Sequence, residues 1–176
     1  VVLLAGAWVA SALTPGEQAG EDPFPVTAQV GERGVGRNID VTVVDARVVH
    51  SLTSEEGLST WSGEGTWLLV EVDAAAVVAQ DGAALLGVFL EVDGLTYSAS
   101  DRMRSFLGTG LVPGVPQRGT VVFELPEDLP SGPAVLAFSL SSDPRADSQI
   151  RVPIDLGAVP VQDAAEMPQT EWTDLR

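Results

Sequence analysis

Lysine is missing from all 176 residues, and every basic side chain is one of nine arginines. That excludes Schiff-base chemistry and the lysine clamp of Walker-type phosphate sites. Cysteine is missing as well. Disulfides, thiolate zinc sites, iron–sulfur clusters, cysteine nucleophiles and a lipid-modified cysteine are excluded with it. Export permits disulfides without requiring them, so their absence does not argue against an exterior location. His50 is the one histidine. No Gly-x-Ser-x-Gly elbow accompanies it, so a hydrolase triad lacks its nucleophile. A transition-metal site built on one imidazole and no thiolate lacks ligands. His50 is expected at the end of a strand, on the surface. No uninterrupted apolar run reaches 18 residues, so there is at most one membrane span.

Positive charge is scarce overall. The net charge is −16 and the sequence pI about 4.1. A phosphate backbone repels such a surface, because non-specific nucleic-acid affinity depends on a basic face. Nucleic acid is therefore not expected as a partner. The Arg-only, Ala/Gly/Val-rich, acidic composition resembles that of a GC-rich, actinobacterial genome. Hydrophobic residues make up 45% and charged residues 19%, a globular composition that argues against disorder. A chain of this length buries a core large enough to stand without metals or disulfides.

The residues that are present divide into four parts. Residues 1–13, Val1 to Leu13, are apolar and uncharged. They show no polar helical face, and the chain opens on valine, so further residues are expected before it. Thirteen apolar residues are short for a span, which needs about 20, and match a signal-peptide core. Ala10-Ser11-Ala12 fits a cleavage site. With preceding residues restored, the same stretch reads as an uncleaved anchor carrying Leu3, Leu4, Trp8 and Val9 in the membrane. Both readings place the rest of the chain outside the cytoplasm. Residues 14–25 hold Pro15, Gly16, Gly20, Pro23 and Pro25 and read as a spacer. Residues 26–159 read as strands, and residues 160–176 as a polar, acidic, mobile tail in which Trp172 is out of place.

The strand pattern is specific. Ile39, Val41 and Val43 alternate with polar residues, and the apolar phase then passes to Val44, Ala46 and Val48. One inserted residue near Val43–Val44 produces such a switch. Thr66–Val72 is a second strand, with Trp67 and Leu69 on one face and Leu68, Val70 and Val72 on the other. Leu85–Val92 is a third, and Asp93-Gly94 turns it into Leu95–Ser98. Ser100–Arg118 is irregular. Thr120–Leu125, Ala134–Leu140 and Ile150–Ile154 complete the set, and Pro153 marks the last as an edge strand. About seven short strands with turns between them predict an all-β sandwich, preceded by one N-terminal hydrophobic helix.

Several blocks carry a resemblance. They are Val30-Gly31-Glu32, Asn38-Ile39-Asp40-Val41-Thr42-Val43, Trp67-Leu68-Leu69-Val70-Glu71-Val72, Val92-Asp93-Gly94-Leu95-Thr96-Tyr97-Ser98-Ala99-Ser100, and Pro113-Gly114 followed by Gly119-Thr120-Val121-Val122-Phe123-Glu124-Leu125-Pro126. In this order they resemble the immunoglobulin-like families of unknown function in exported proteins of Gram-positive bacteria. The resemblance spans about residues 26 to 156. It implies an immunoglobulin-like fold and a binding or accessory module without catalysis.

Candidate chemistry is sparse. Glu71, Asp73, Glu91 and Asp93 lie on strands expected to be neighbours, as paired carboxylates or as a solvated sheet face. Asp143 with Asp147, or Asp101 with Asp93, are oxygen donors of the type calcium takes, but no Asp-x-Asp-x-Asp-Gly loop is present. No cofactor or metal is therefore expected. Arg102, Met103, Arg104, Phe106 and Arg145 place rare arginines beside apolar side chains in loops, an interface composition or a set of local ion pairs. Trp61, expected in a loop over Leu58–Gly65, caps the sandwich end or meets a partner. These readings converge on a single-span, extracytoplasmic interaction subunit with a protein partner in or at the membrane. The alternative is a secreted or wall-associated domain that binds carbohydrate or peptide.

Overall fold

A computed structural model of the chain describes residues 21–56, 59–78, 83–128 and 131–173. The N-terminal segment with Leu3, Leu4, Trp8 and Val9 lies outside the described residues. Among those described, no helix is long and apolar enough to cross a membrane.

The described chain is all-β. Its strands are β1 (Phe24–Thr27), β2 (Arg33–Val35), β3 (Ile39–Glu56), β4 (Ser59–Ala76), β5 (Gly87–Val92), β6 (Leu95–Ser98), β7 (Gln117–Leu125), β8 (Pro133–Ser139), β9 (Ser148–Asp155), β10 (Val161–Glu166) and β11 (Glu171–Trp172). Two sheets form a sandwich. One runs β1-β9-β8-β5-β6; the other runs β10-β3-β4-β7-β11, with β2 also paired to β3. All seven expected strands are present, as β3 to β9. Within the sheets, β3-β4-β7 stand in the immunoglobulin order A-B-E and β9-β8-β5 in the order G-F-C. Where strand D would stand, the irregular segment expected after Ser98 runs along β7. It hydrogen-bonds through Ser100 N to Val122 O and through Phe106 N to Thr120 O.

The apolar alternation places the main core between the sheets. Val41, Val43, Leu68, Val70, Val72, Val121 and Phe123 face Leu90, Leu136, Phe138, Ile150 and Val152. The phase switch in β3 is a bulge. Val43 pairs with Val72 and Asp45 with Glu71, which leaves Val44 unpaired.

A second irregularity bends the β3–β4 hairpin. Val49 pairs with Trp67 and the next pair is Ser51–Glu64, so His50 is skipped on one strand and Gly65 and Thr66 on the other. Six residues of straight strand span about 20 Å. Yet the Trp61 and Trp67 rings meet edge-to-face at 5.6 Å. The outer part of the hairpin therefore folds back over the outer face of its own sheet. Gly65 takes a φ of +149°, which L side chains rarely adopt. A Cβ on Gly63 would lie 2.6 Å from the Trp61 ring. A second core results, outside the sandwich: Val49, Leu52, Trp67, Leu69, Met103, Val122 and Met167. Trp67 is buried as expected, but in this second core and not between the sheets.

Several expectations are corrected. The loop over Leu58–Gly65 is, from Ser59 on, the outer end of β4. The acidic tail is not a mobile appendage: β10 pairs parallel to β3, Met167 N donates to Thr53 O, and β11 pairs with β7. The tail passes from one edge of the six-stranded sheet to the other. The strand β9 is an edge only in part, because β1 pairs with it through Arg151; Pro153 lies beyond that last pair. Glu71 and Asp73 lie on β4 and Glu91 on β5, in different sheets, so neither pairs with Glu91 across neighbouring strands.

Candidate functional site

The loop arginines make local pairs. Arg102 Nη1 lies 2.8 Å from both Glu124 carboxylate oxygens, and its guanidinium sits 5.7 Å from the Trp67 ring centroid. It covers the second core like a lid. Arg145 pairs with Asp143 at 2.6 Å and with Glu21 at 3.3 Å. Its hydrogen bonds hold the Asp143 carboxyl below the usual range. Arg104 is exposed and lines a cavity of about 380 Å³ with Ser54, Glu55, Thr120 and the tail. Met103 and Phe106 are corrected as partner contacts. Met103 is 4% exposed in the second core, and Phe106 is fully buried against Gly119. Trp61 is half-buried on Trp67, which fits the capping reading.

Of the calcium candidates, Asp143 and Asp147 are engaged otherwise. Asp143 holds Arg145, and Asp147 accepts from Asn38 Nδ2 at 2.8 Å and from Ser148 N at 2.7 Å. Asp93, at φ 50°, makes the β5–β6 turn. Among the described residues no three acidic or histidine side chains are grouped to hold a metal ion. His50 is exposed, at the bend of β3.

The arrangement of most chemical interest lies elsewhere. Arg33 pairs with Thr42, Thr42 with Asp73, Asp73 with Arg118 and Arg118 with Glu171. These residues form one row across five strands, and residues directly opposite share a face. The row therefore projects from the outer face of the six-stranded sheet. Arg118 grips Asp73 with two bonds of 2.7 Å, and Glu71 stands 3.7 Å from its Nε. Arg33, 64% exposed, pairs with Asp40, whose side chain is 7% exposed. Hydrogen bonding to Asp73 raises the Arg118 pKa, and Asp40 does the same for Arg33, so both stay charged. A cleft of about 520 Å³ opens over this row, with Gly31 on one wall and Trp172 at the β11 rim. That volume is within the usual range of small-molecule sites. Trp172 is 62% exposed; its register partner Gln117 turns inward, so the indole stands at the rim and not over the row.

The sequence singles out no residue of this row as a site apart from Asp73, as one of four acids. The signal that could have found it lies on β4. Its outward positions run Trp67, Leu69, Glu71, Asp73, changing from apolar to charged within one strand.

No family model matches the chain, and no curated protein does. Among solved structures the chain is similar to an uncharacterized beta-sandwich protein from Clostridium difficile 630. The two share 12% sequence identity over 80% of this chain and 99% of that one, with a TM-score of 0.49.

Proposed function

We propose that the chain is a non-enzymatic, extracytoplasmic recognition module that meets its target with the outer face of the six-stranded sheet. One observation carries the reading: the row from Arg33 to Glu171, open in a cleft of about 520 Å³. The apolar half of the same face is covered by the chain's own hairpin, loop and tail, and the charged half is left open. Asp73 in the row and Asp40 beside it are held against guanidinium groups. That arrangement suits fixed hydrogen bonding better than proton transfer, which needs an acid or base poised to change state.

Tethering is the second part of the proposal. Val1–Leu13 holds the module at the membrane, and its protein partner is in or at that membrane. The described chain starts at Glu21, where Ala146 N donates to Glu21 O. Asp147 bonds Asn38, and Val77 N donates to Asn38 O, so this end carries the exposed Val77 and Val112 close to the point of entry. An apolar tip on the side of the fold where Glu21 enters supports a partner at the membrane surface.

The test is fractionation with external proteolysis of intact cells, followed by capture of partners from native membranes. The expected result is a membrane-bound chain, cleaved from outside, that captures an integral-membrane protein and whose binding to envelope fragments of the source cell is lost with Thr42→Val. A chain protected inside the cell, or envelope binding indifferent to the cleft, refutes the proposal.

A further inference from the structure

The polar groups of the cleft define the chemistry of its ligand, on the premise that this face does the recognising. Arg118 presents five N–H groups, of which two are spent on Asp73. Arg33 spends an Nη2 bond on Asp40. Each Asp73 oxygen accepts one of the Arg118 bonds and keeps a second lone pair. Donors and acceptors thus remain side by side, with N···O separations of 2.7 Å at the Arg118–Asp73 pair. Thr42, half-buried between them in the row, adds a hydroxyl that both donates and accepts.

Charge narrows the class. Around the two arginines stand Asp40, Glu71, Asp73 and Glu171. An anion entering the cleft meets those carboxylates, and a cation meets the two guanidinium groups. A neutral ligand meets neither penalty. The chemistry that uses an adjacent donor and acceptor together is a pair of vicinal hydroxyls, one accepting from the guanidinium and the other donating to the carboxylate. Hydrogen bonds to ionised partners are the stronger ones. We propose that the cleft over the Arg33–Thr42–Asp73–Arg118–Glu171 row binds a neutral saccharide through its vicinal hydroxyls, with Trp172 at the rim.

The test uses the full chain in a phosphocholine detergent, which carries no sugar headgroup. Cellotetraose, maltotetraose, mannotetraose and N-acetylated chitotetraose are titrated while the arginine Nε–Hε signals are followed by NMR. A tetragalacturonate and a deacetylated chitotetraose serve as charged comparisons. At least one neutral tetrasaccharide is expected to bind with a Kd below about 1 mM and to shift the Arg118 signal. Thr42→Val, which conserves shape, and Arg33→Gln are each expected to weaken it about fivefold or more. The inference is overturned if no neutral tetrasaccharide binds, if both variants bind as the parent does, or if a charged tetramer binds more tightly. Pelleting with envelope fragments of the source cell separates the two levels. Binding lost in the variants but not competed by any neutral tetrasaccharide overturns the saccharide and leaves the recognition face standing. Binding equal in parent and variants sinks both.

Discussion

Gly119 is where the irregular loop and the sheet interlock most tightly, and it gives a sharp test of the fold. A Cβ built there would lie 2.3 Å from Phe106 Cδ2, 2.4 Å from Cγ and 2.7 Å from Cβ. Ordinary carbon contacts begin near about 3.5 Å. A change of χ1 relieves the first two overlaps but not the third, because Phe106 Cβ is fixed to a backbone whose N–H bonds Thr120 O. Gly119→Ala must therefore shift the loop, at the upper end of the overpacking range, about 3 kcal/mol. For a domain of this size that is a fall in Tm of roughly 6–12 °C. Phe106→Ala, which empties a fully buried site, costs about 3–5 kcal/mol. In the double variant the overlaps with Cγ and Cδ2 are gone, while the one with the Cβ that alanine keeps remains. The two costs should fall short of their sum by about 1–3 kcal/mol. Urea unfolding of all four proteins measures this. A Gly119→Ala protein within about 0.5 kcal/mol of the parent, or strict additivity, would refute the packing of Phe106 over β7.

The geometry implies three further outcomes. Deleting residues 161–176 removes β10, β11 and Met167, uncovering the β3 and β7 edges and the second core; the truncated chain should lose several kcal/mol and associate in solution, whereas a mobile tail would be cut without effect in a thermal melt. Glu124→Gln should cost no more than about 1 kcal/mol, and less in high salt, because Arg102 and Glu124 are half-exposed; a larger loss would show that the lid over Trp67 matters more than its exposure suggests. NMR titration of Asp143 should give a pKa below the ordinary carboxylate value, and Arg145→Ala should return it upward; its contribution is present at neutral pH and is lost as pH falls through the depressed value, and an unchanged midpoint in the variant would deny the pairing.

The sandwich was legible because its signal is local. Period-2 alternation in Ile39–Val48, the Asp93-Gly94 turn and the phase change at Val44 each rest on a few adjacent residues, and the strands stand where those cues put them. The folded-back hairpin was not, because Leu58–Gly65 holds two glycines and small polar residues and reads as a loop; its pairing depends on Trp61 meeting a ring six positions on. The tail strands were hidden for a related reason. Val161–Glu166 carries a charged or amide side chain on each face, shows no apolar alternation, and is strand because β3 offers an unpaired edge. The cleft was least legible. Its row joins Arg33 to Glu171 through registers of four strand pairs, and a one-residue slip in any of them would turn the charges away. Met103 and Phe106 looked like contacts because they flank arginines; burial decided otherwise.

The outer face of β4 poses one more question: whether Asp73 and Arg118 are kept for stability or for recognition. Their side chains are 24% and 35% exposed. At that depth desolvation offsets much of the attraction, and an apolar pair of similar bulk is often as stable. The Arg118 stem also covers apolar surface, which a leucine would still do. Joint replacement, Asp73→Val with Arg118→Leu, should therefore lie within about 1 kcal/mol of the parent. Arg118→Leu alone should cost more, about 1–3 kcal/mol, because it leaves Asp73 facing Glu71 without its cation. If the pair is there for a ligand, the stable double variant loses binding to envelope fragments while its melting curve is nearly that of the parent. A double variant that unfolds easily, more than about 2 kcal/mol below the parent, would show that the row is a strut of the sheet and that its polarity is no sign of a binding site.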